Sequence, residues 1–133
     1  MRGLAAQGFS ALAEVTLPNA RRADVLALDG RGRFLLVEVK SSVADFRADA
    51  KWPDYLEFCD FFYFAVPADF PQALIPPEAG LMVADGYGAE ILRDCSACSL
   101  APARRKALLL RFAHLAAGRL QLALDPQGVL EGF

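Results

Sequence analysis

Asp24, Glu38 and Lys40 are the residues whose types and spacing could do chemistry. Two apolar runs, Ala23 to Leu28 and Phe34 to Lys40, flank the Gly-containing stretch Asp29-Gly30-Arg31-Gly32-Arg33, a pattern that predicts a β-hairpin. If the turn centres on Arg31, residues equidistant from it face each other, so Asp24 opposes Glu38 and Arg22 opposes Lys40. Side chains alternate along a strand, which puts Asp24, Glu38 and Lys40 on one face. Like charges directly opposite destabilise a sheet, and a desolvated carboxylate pair must share a proton or recruit a cation. Such hard oxygen ligands suit Mg²⁺ or Mn²⁺, with waters and a substrate phosphate completing the octahedron. Lys40 would then neutralise a phosphoryl transition state or orient the attacking water. The same residues also read as strand-end charges paired with Arg21, Arg22 or Lys40, and spacing alone leaves both readings open.

The surrounding elements must hold that hairpin in place. Residues 1 to 9 read as the end of a helix closed by Gly8, and Ala11 to Leu17 as a strand stopped at Pro18. After the hairpin, Ser42 with Asp45 forms a capping-box-like helix start, and Pro53 either interrupts that helix or begins a new one before Asp60. Phe61 to Val66 is a buried strand, 67 to 80 a proline-rich loop, 80–85 and 89–93 a smaller hairpin, and about 102–124 a helix. The order is α-β-β-β-α-β-β-β-α. Strands apolar on both faces place the hairpin centrally, giving an α/β fold with a mixed central sheet flanked by helices.

A chain of 133 residues, 55% hydrophobic and 23% charged, fits one packed domain spanning 1–133 and excludes disorder. No run approaches the apolar length of a membrane span, and the N-terminus lacks the pattern of a signal peptide, so the expected location is cytoplasmic with no membrane partner. Three cysteines, Cys59, Cys95 and Cys98, read as reduced thiols. A zinc site on Cys95 and Cys98 would need two more ligands, for which only Cys59 and His114 exist, and His114 reads as solvated surface. Trp52 reads as a packing anchor rather than a base-stacking platform. With a net charge of −2, nucleic-acid binding would require a local basic face. Seven of the 14 basic residues, Arg21, Arg22, Arg31, Arg33, Lys40, Arg47 and Lys51, fall within one 31-residue interval that holds five acids. That composition fits either phosphate-backbone binding or a solvated surface. Arg104, Arg105 and Lys106 read as an exposed helix start.

Asp24 and Glu38-Val39-Lys40, separated by 13 residues, resemble the bipartite signature of the PD-(D/E)xK nuclease superfamily, with Ala23 where its proline usually stands. More closely, Arg21 to Val25, Val37 to Ser42, Asp45 to Tyr55 and Pro102 to Leu108 resemble the MmcB-related DNA repair family over most of the chain. The resemblance implies a restriction-endonuclease-like core, with Asp24 and Glu38 binding metal, the Val39 carbonyl adding a ligand and Lys40 acting in catalysis. It also implies a Mg²⁺- or Mn²⁺-dependent DNA nuclease of repair or, alternatively, a non-catalytic DNA-binding accessory that keeps the fold. Lys51 and Tyr55 stand where RecB-like nucleases carry a Gln and a Tyr, one helical turn apart. With Arg21, Arg22 and Arg47 they complete the expected nucleic-acid surface. The acidic residue that many relatives carry on the first helix has no counterpart between Met1 and Gly8, which leaves Glu14 as the additional candidate. The Phe-rich segments are compatible with a homodimer, and other repair proteins are conceivable partners.

Overall fold

A computed structural model of the protein describes residues 2–86, 88–96, 98 and 100–127. They divide into two compact units, Met1–Ala101 and Pro102–Phe133. The first contains α1 (Arg2–Ala6), β1 (Ser10–Thr16), β2 (Arg22–Leu28), β3 (Phe34–Val39), α2 (Val43–Ala48), a 3-10 helix (Trp52–Phe58), β4 (Phe61–Val66), β5 (Gly80–Ala84) and β6 (Ala89–Arg93). The six strands form one sheet in sequence order. β1, β2 and β3 pair antiparallel, β3, β4 and β5 parallel, and β6 antiparallel on β5, which makes the sheet mixed as the apolar runs predicted.

The hairpin register is the expected one: Val25 faces Val37, Leu26 faces Leu36, Ala27 faces Leu35 and Leu28 faces Phe34. Its turn is held by Asp29, whose carboxylate accepts from the amides of Arg31 and Arg33, both at 2.9 Å. Gly32 supplies the left-handed residue the turn needs, with φ 79°. Side-chain alternation then sorts the sheet into two faces. On one, Leu4 of α1 packs with Ala27, Leu35, Val37, Tyr63, Ala65 and Met82. The other face carries Leu26, Phe34, Leu36, Phe62 and Phe64, all fully buried. Phe46 of α2 and Trp52 of the 3-10 helix pack edge-on against Phe64, and Trp52 stacks on Phe62 with centroids 5.8 Å apart. Trp52 is thus the packing anchor that its sequence context suggested.

The crossover from β3 to β4 differs from a continuous helix. Ser42 caps α2 by accepting from the Asp45 amide at 3.1 Å, as the Ser-x-x-Asp spacing predicted. Asp49 is already extended (φ −93°, ψ 96°), and Pro53 sits in the first turn of a separate 3-10 helix capped by Lys51. Proline lacks an amide donor and suits only a first turn, so it starts the new helix. Lys51 and Tyr55, one helical turn apart in sequence, would share a helix face only if Pro53 left the helix unbroken, and here it does not.

The second unit's described part is dominated by α3 (Pro102–Leu124). By length and composition alone α3 is long and apolar enough to cross a membrane, with mean hydropathy 1.2 over its best window. The expectation concerned an uninterrupted apolar run, and α3 has none: Arg104, Arg105, Lys106, Arg111 and Arg119 break its apolar residues into short blocks, so it reaches the threshold only on average. Single helices of soluble proteins pass the same test.

Candidate metal and nucleic-acid site

Along β3 the even-numbered face runs Phe34, Leu36, Glu38 and on to Lys40, so an apolar stripe ends in two charges at the strand's C-terminal end. In open α/β sheets, ligands bind outside the carboxyl ends of parallel strands, and β3 and β4 are such a pair. Glu38 is 5% exposed and Lys40 7% exposed. Charged residues are this buried only when paired.

Asp24 sits opposite Glu38, as the hairpin register required. Its amide donates to Glu38 Oε1 at 3.1 Å, and its own Oδ2 accepts from the Val39 amide at 2.8 Å. Two side-chain bonds thus replace the ladder where it reaches the site. Each carboxylate keeps one oxygen with no hydrogen-bond partner among the described residues. Burial raises the Glu38 pKa to about 7, with the Asp24 charge adding to the shift. The Val39 backbone lies against the Asp24 carboxylate, while the Val39 side chain is half exposed.

Lys40 is paired, but not with a metal-pair carboxylate. Its Nζ lies 2.9 Å from Asp49 Oδ2, with both side chains largely buried, and its amide donates to Ala65 O at 2.9 Å. Despite its burial the pKa of Lys40 is raised, because the Asp49 carboxylate accepts from and stabilises its ammonium, and the Asp49 pKa is lowered in turn by Lys40. Asp49 Oδ1 also accepts from the Lys51 amide at 2.9 Å. Sequence reasoning did not single out Asp49. The available signal was an acid at the C-terminal end of a helix, where the dipole disfavours it and another partner must compensate.

Tyr55 is buried, and its hydroxyl donates to the Arg22 carbonyl at 3.0 Å. It props β2 from behind rather than lying on an open surface, and burial pushes its pKa to about 12. Glu14 stands across β2 from Asp24: Ala13 pairs with Val25 and Val15 with Ala23, while the step between them is skipped. Its φ of 53° lies in the left-handed region that costs non-glycine residues strain, a placement that clusters at functional sites.

The seven basic residues separate in space. Arg31 and Arg33 belong to the hairpin turn, at the opposite end of β3 from Glu38, and Arg33 pairs with Asp29 at 2.7 Å. Arg21 pairs with Asp54 at 3.1 Å. Arg22, Arg47 and Lys51 are exposed and make no ion pair among the described residues.

Among the described residues no group of three or more His, Cys, Asp or Glu is arranged to hold a metal. A two-carboxylate set nonetheless fits Mg²⁺ or Mn²⁺, ions that usually keep several waters. The fit rests on Glu38, a buried acid beside a second carboxylate, each with an oxygen to offer.

The SPO1766 protein of unknown function from Silicibacter pomeroyi is 47% identical, with a TM-score of 0.92 over 99% of this chain and 90% of that one. No curated protein matches. The model of the MmcB-like family, described as DNA repair protein MmcB-like, matches residues 1–127, and the chain belongs to that family.

Proposed function

We propose that this protein is a DNA repair nuclease of the PD-(D/E)xK kind, working in the cytoplasm on DNA phosphodiester bonds. The observation that carries the reading is the buried Glu38 with the half-buried Asp24 opposite it, set at the end of β3 with Lys40 two residues on. Membership of a DNA repair family supports DNA as the substrate. The order of strands β1 to β4, with the helical crossover after β3, supports a restriction-endonuclease-like core.

Asp24 and Glu38 would hold Mg²⁺ or Mn²⁺ through their free oxygens, joined by the Val39 carbonyl. When bound, the ion supplies Lewis-acid stabilisation of charge on the phosphate. The backbone amides of Asp24 and Val39 fix both carboxylates and so preorganise the donor set. Lys40, desolvated and kept protonated by Asp49, places a fixed positive charge where the phosphoryl oxygens gain negative charge. Arg22, Arg47 and Lys51 hold the phosphate backbone without reading bases.

The test is cleavage of end-labelled duplex, single-stranded and branched DNA with Mg²⁺ or Mn²⁺, beside EDTA. Cutting that requires the metal supports the reading. DNA bound but uncut in every condition would instead establish a binding accessory that keeps the fold.

A further inference from the structure

We propose that Cys98 is a peroxide-reactive thiol that closes a reversible disulfide with Cys95. The CxxC pair alone gave no redox signal, because the Gly-containing hairpin before it is not the strand-to-helix setting of a thioredoxin-like motif, and the third cysteine is 36 positions upstream of Cys95. The fold brings all three together: Cys98 Sγ lies 3.8 Å from Cys59 Sγ and 4.0 Å from Cys95 Sγ. Cys98 is therefore the sulfur that both others can reach.

The three thiols are not equivalent. Cys59 is fully buried, its Sγ donates to the Tyr55 carbonyl at 3.4 Å, and it follows directly on the packed 3-10 helix. Cys95 and Cys98 are half-buried and come after the end of β6. Cys95, 4.0 Å from Cys98, lines a cavity of about 340 Å³ with Gln7, Tyr63 and Asp94, which has room for a molecule as small as a peroxide beside the pair. A thiolate is the attacking species in such chemistry, and it is favoured where donors surround it. The neighbouring Cys59 and Cys95 thiols lower the Cys98 pKa, whereas the pKa values of Cys59 and Cys95 are raised.

The chemistry balances with hydrogen peroxide as the oxidant. The Cys98 thiolate attacks one peroxide oxygen, an S–O bond forms, the O–O bond breaks, and the departing hydroxide takes a proton to become water. Cys95 then attacks the Cys98 sulfenic sulfur. The S–S bond forms, the S–O bond breaks, and hydroxide leaves with the Cys95 proton as a second water. Two thiols give up two electrons to one peroxide, and exchange with a cellular thiol reverses the step.

The sequence makes the test clean. Trypsin cuts after Arg93 and Arg104, which places Cys95 and Cys98 in one peptide, while Cys59 lies in another between Lys51 and Arg93. The full chain is reduced, freed of reductant, treated with hydrogen peroxide, alkylated under denaturing conditions, digested and weighed. The expected result is a 94–104 peptide that has lost two hydrogens and takes no alkyl group, with Cys59 alkylated and dithiothreitol restoring both thiols. In Cys95→Ser a dimedone adduct should appear on Cys98, and Cys59→Ser should leave the disulfide intact. Any of three results would overturn the proposal: Cys95 and Cys98 both alkylated after peroxide, a linkage that includes Cys59, or dimedone labelling of Cys95 undiminished in Cys98→Ser.

Discussion

Asp24 and Glu38 face each other across β2 and β3, yet the Glu38 carboxylate bonds to the Asp24 amide at 3.1 Å instead of separating from its like-charged neighbour. The Asp24 carboxylate is turned onto the Val39 amide at 2.8 Å. Backbone bonds thus hold two acids together in a place where electrostatics alone would part them. A site built this way stores unfavourable charge that the proposed cation would relieve.

That stored charge sets a pH dependence. The Glu38 pKa is about 7 in the fold against 4.5 for an ordinary glutamate. Between those values the folded protein holds a proton that the unfolded chain has released, so Glu38 lowers stability as pH rises through this window. Glu38→Gln keeps the acceptor for the Asp24 amide and removes the charge. In EDTA it should be more stable than the native protein at pH 8, on the order of 2 kcal/mol after solvent screening, and nearly equal at pH 4.5. Urea midpoints at the two pH values measure this, and equal midpoints at pH 8 would contradict it.

The Lys40–Asp49 pair predicts a different pattern. Removing one partner strands a buried charge, so Asp49→Asn should destabilise the fold by about 3 kcal/mol. Replacing both, Lys40→Met with Asp49→Leu, should recover most of that loss while still abolishing cleavage. Urea unfolding of the three proteins, with a DNA cleavage assay on each, checks both halves.

Much of this was legible in the sequence. The turn residues Asp29 to Arg33 set the hairpin register, and the register placed Asp24 against Glu38. Alternation put Lys40 on the same face, and Ser42 announced the cap of α2. What escaped was set by tertiary contact. Lys40 finds Asp49 only because α2 ends early and the chain turns back, and Tyr55 faces inward because the 3-10 helix is packed against Phe62. The clustering of Cys59 with Cys98 depends on β4 and the segment after β6 being brought together, which no local pattern encodes. Nor does counting charge along the chain show that Arg31 and Arg33 belong to the far end of the sheet.

Those positions make a prediction about DNA binding. Arg22, Arg47 and Lys51 are exposed, whereas Arg33 is engaged by Asp29 at the hairpin turn. Changing the three to Ala together should weaken DNA binding about equally for all sequences and reduce the slope of log affinity against log salt by about three. Arg33→Ala should leave the slope unchanged. Fluorescence anisotropy across a salt series reads both.

Gly80 marks a tight point of the core. A Cβ there would lie 2.3 to 2.9 Å from the Tyr63 ring, which is also tied to Asp94 by a 2.9 Å hydrogen bond. Gly80→Ala should cost about 2 kcal/mol, read as a lower thermal midpoint, and Tyr63→Leu in the same chain should relieve part of that cost.

Asp24→Asn separates a metal-dependent cleavage site on Asp24 and Glu38 from a role in DNA binding alone. Asparagine can still accept from the Val39 amide, so the variant should fold, but it removes the negative charge that would hold the cation. Cleavage and binding of the same labelled DNA are measured in Mg²⁺ for native and variant protein. Cleavage should fall by about a hundredfold or more while DNA affinity changes only slightly. Cleavage that survives Asp24→Asn unchanged would contradict a metal-dependent site on these two acids.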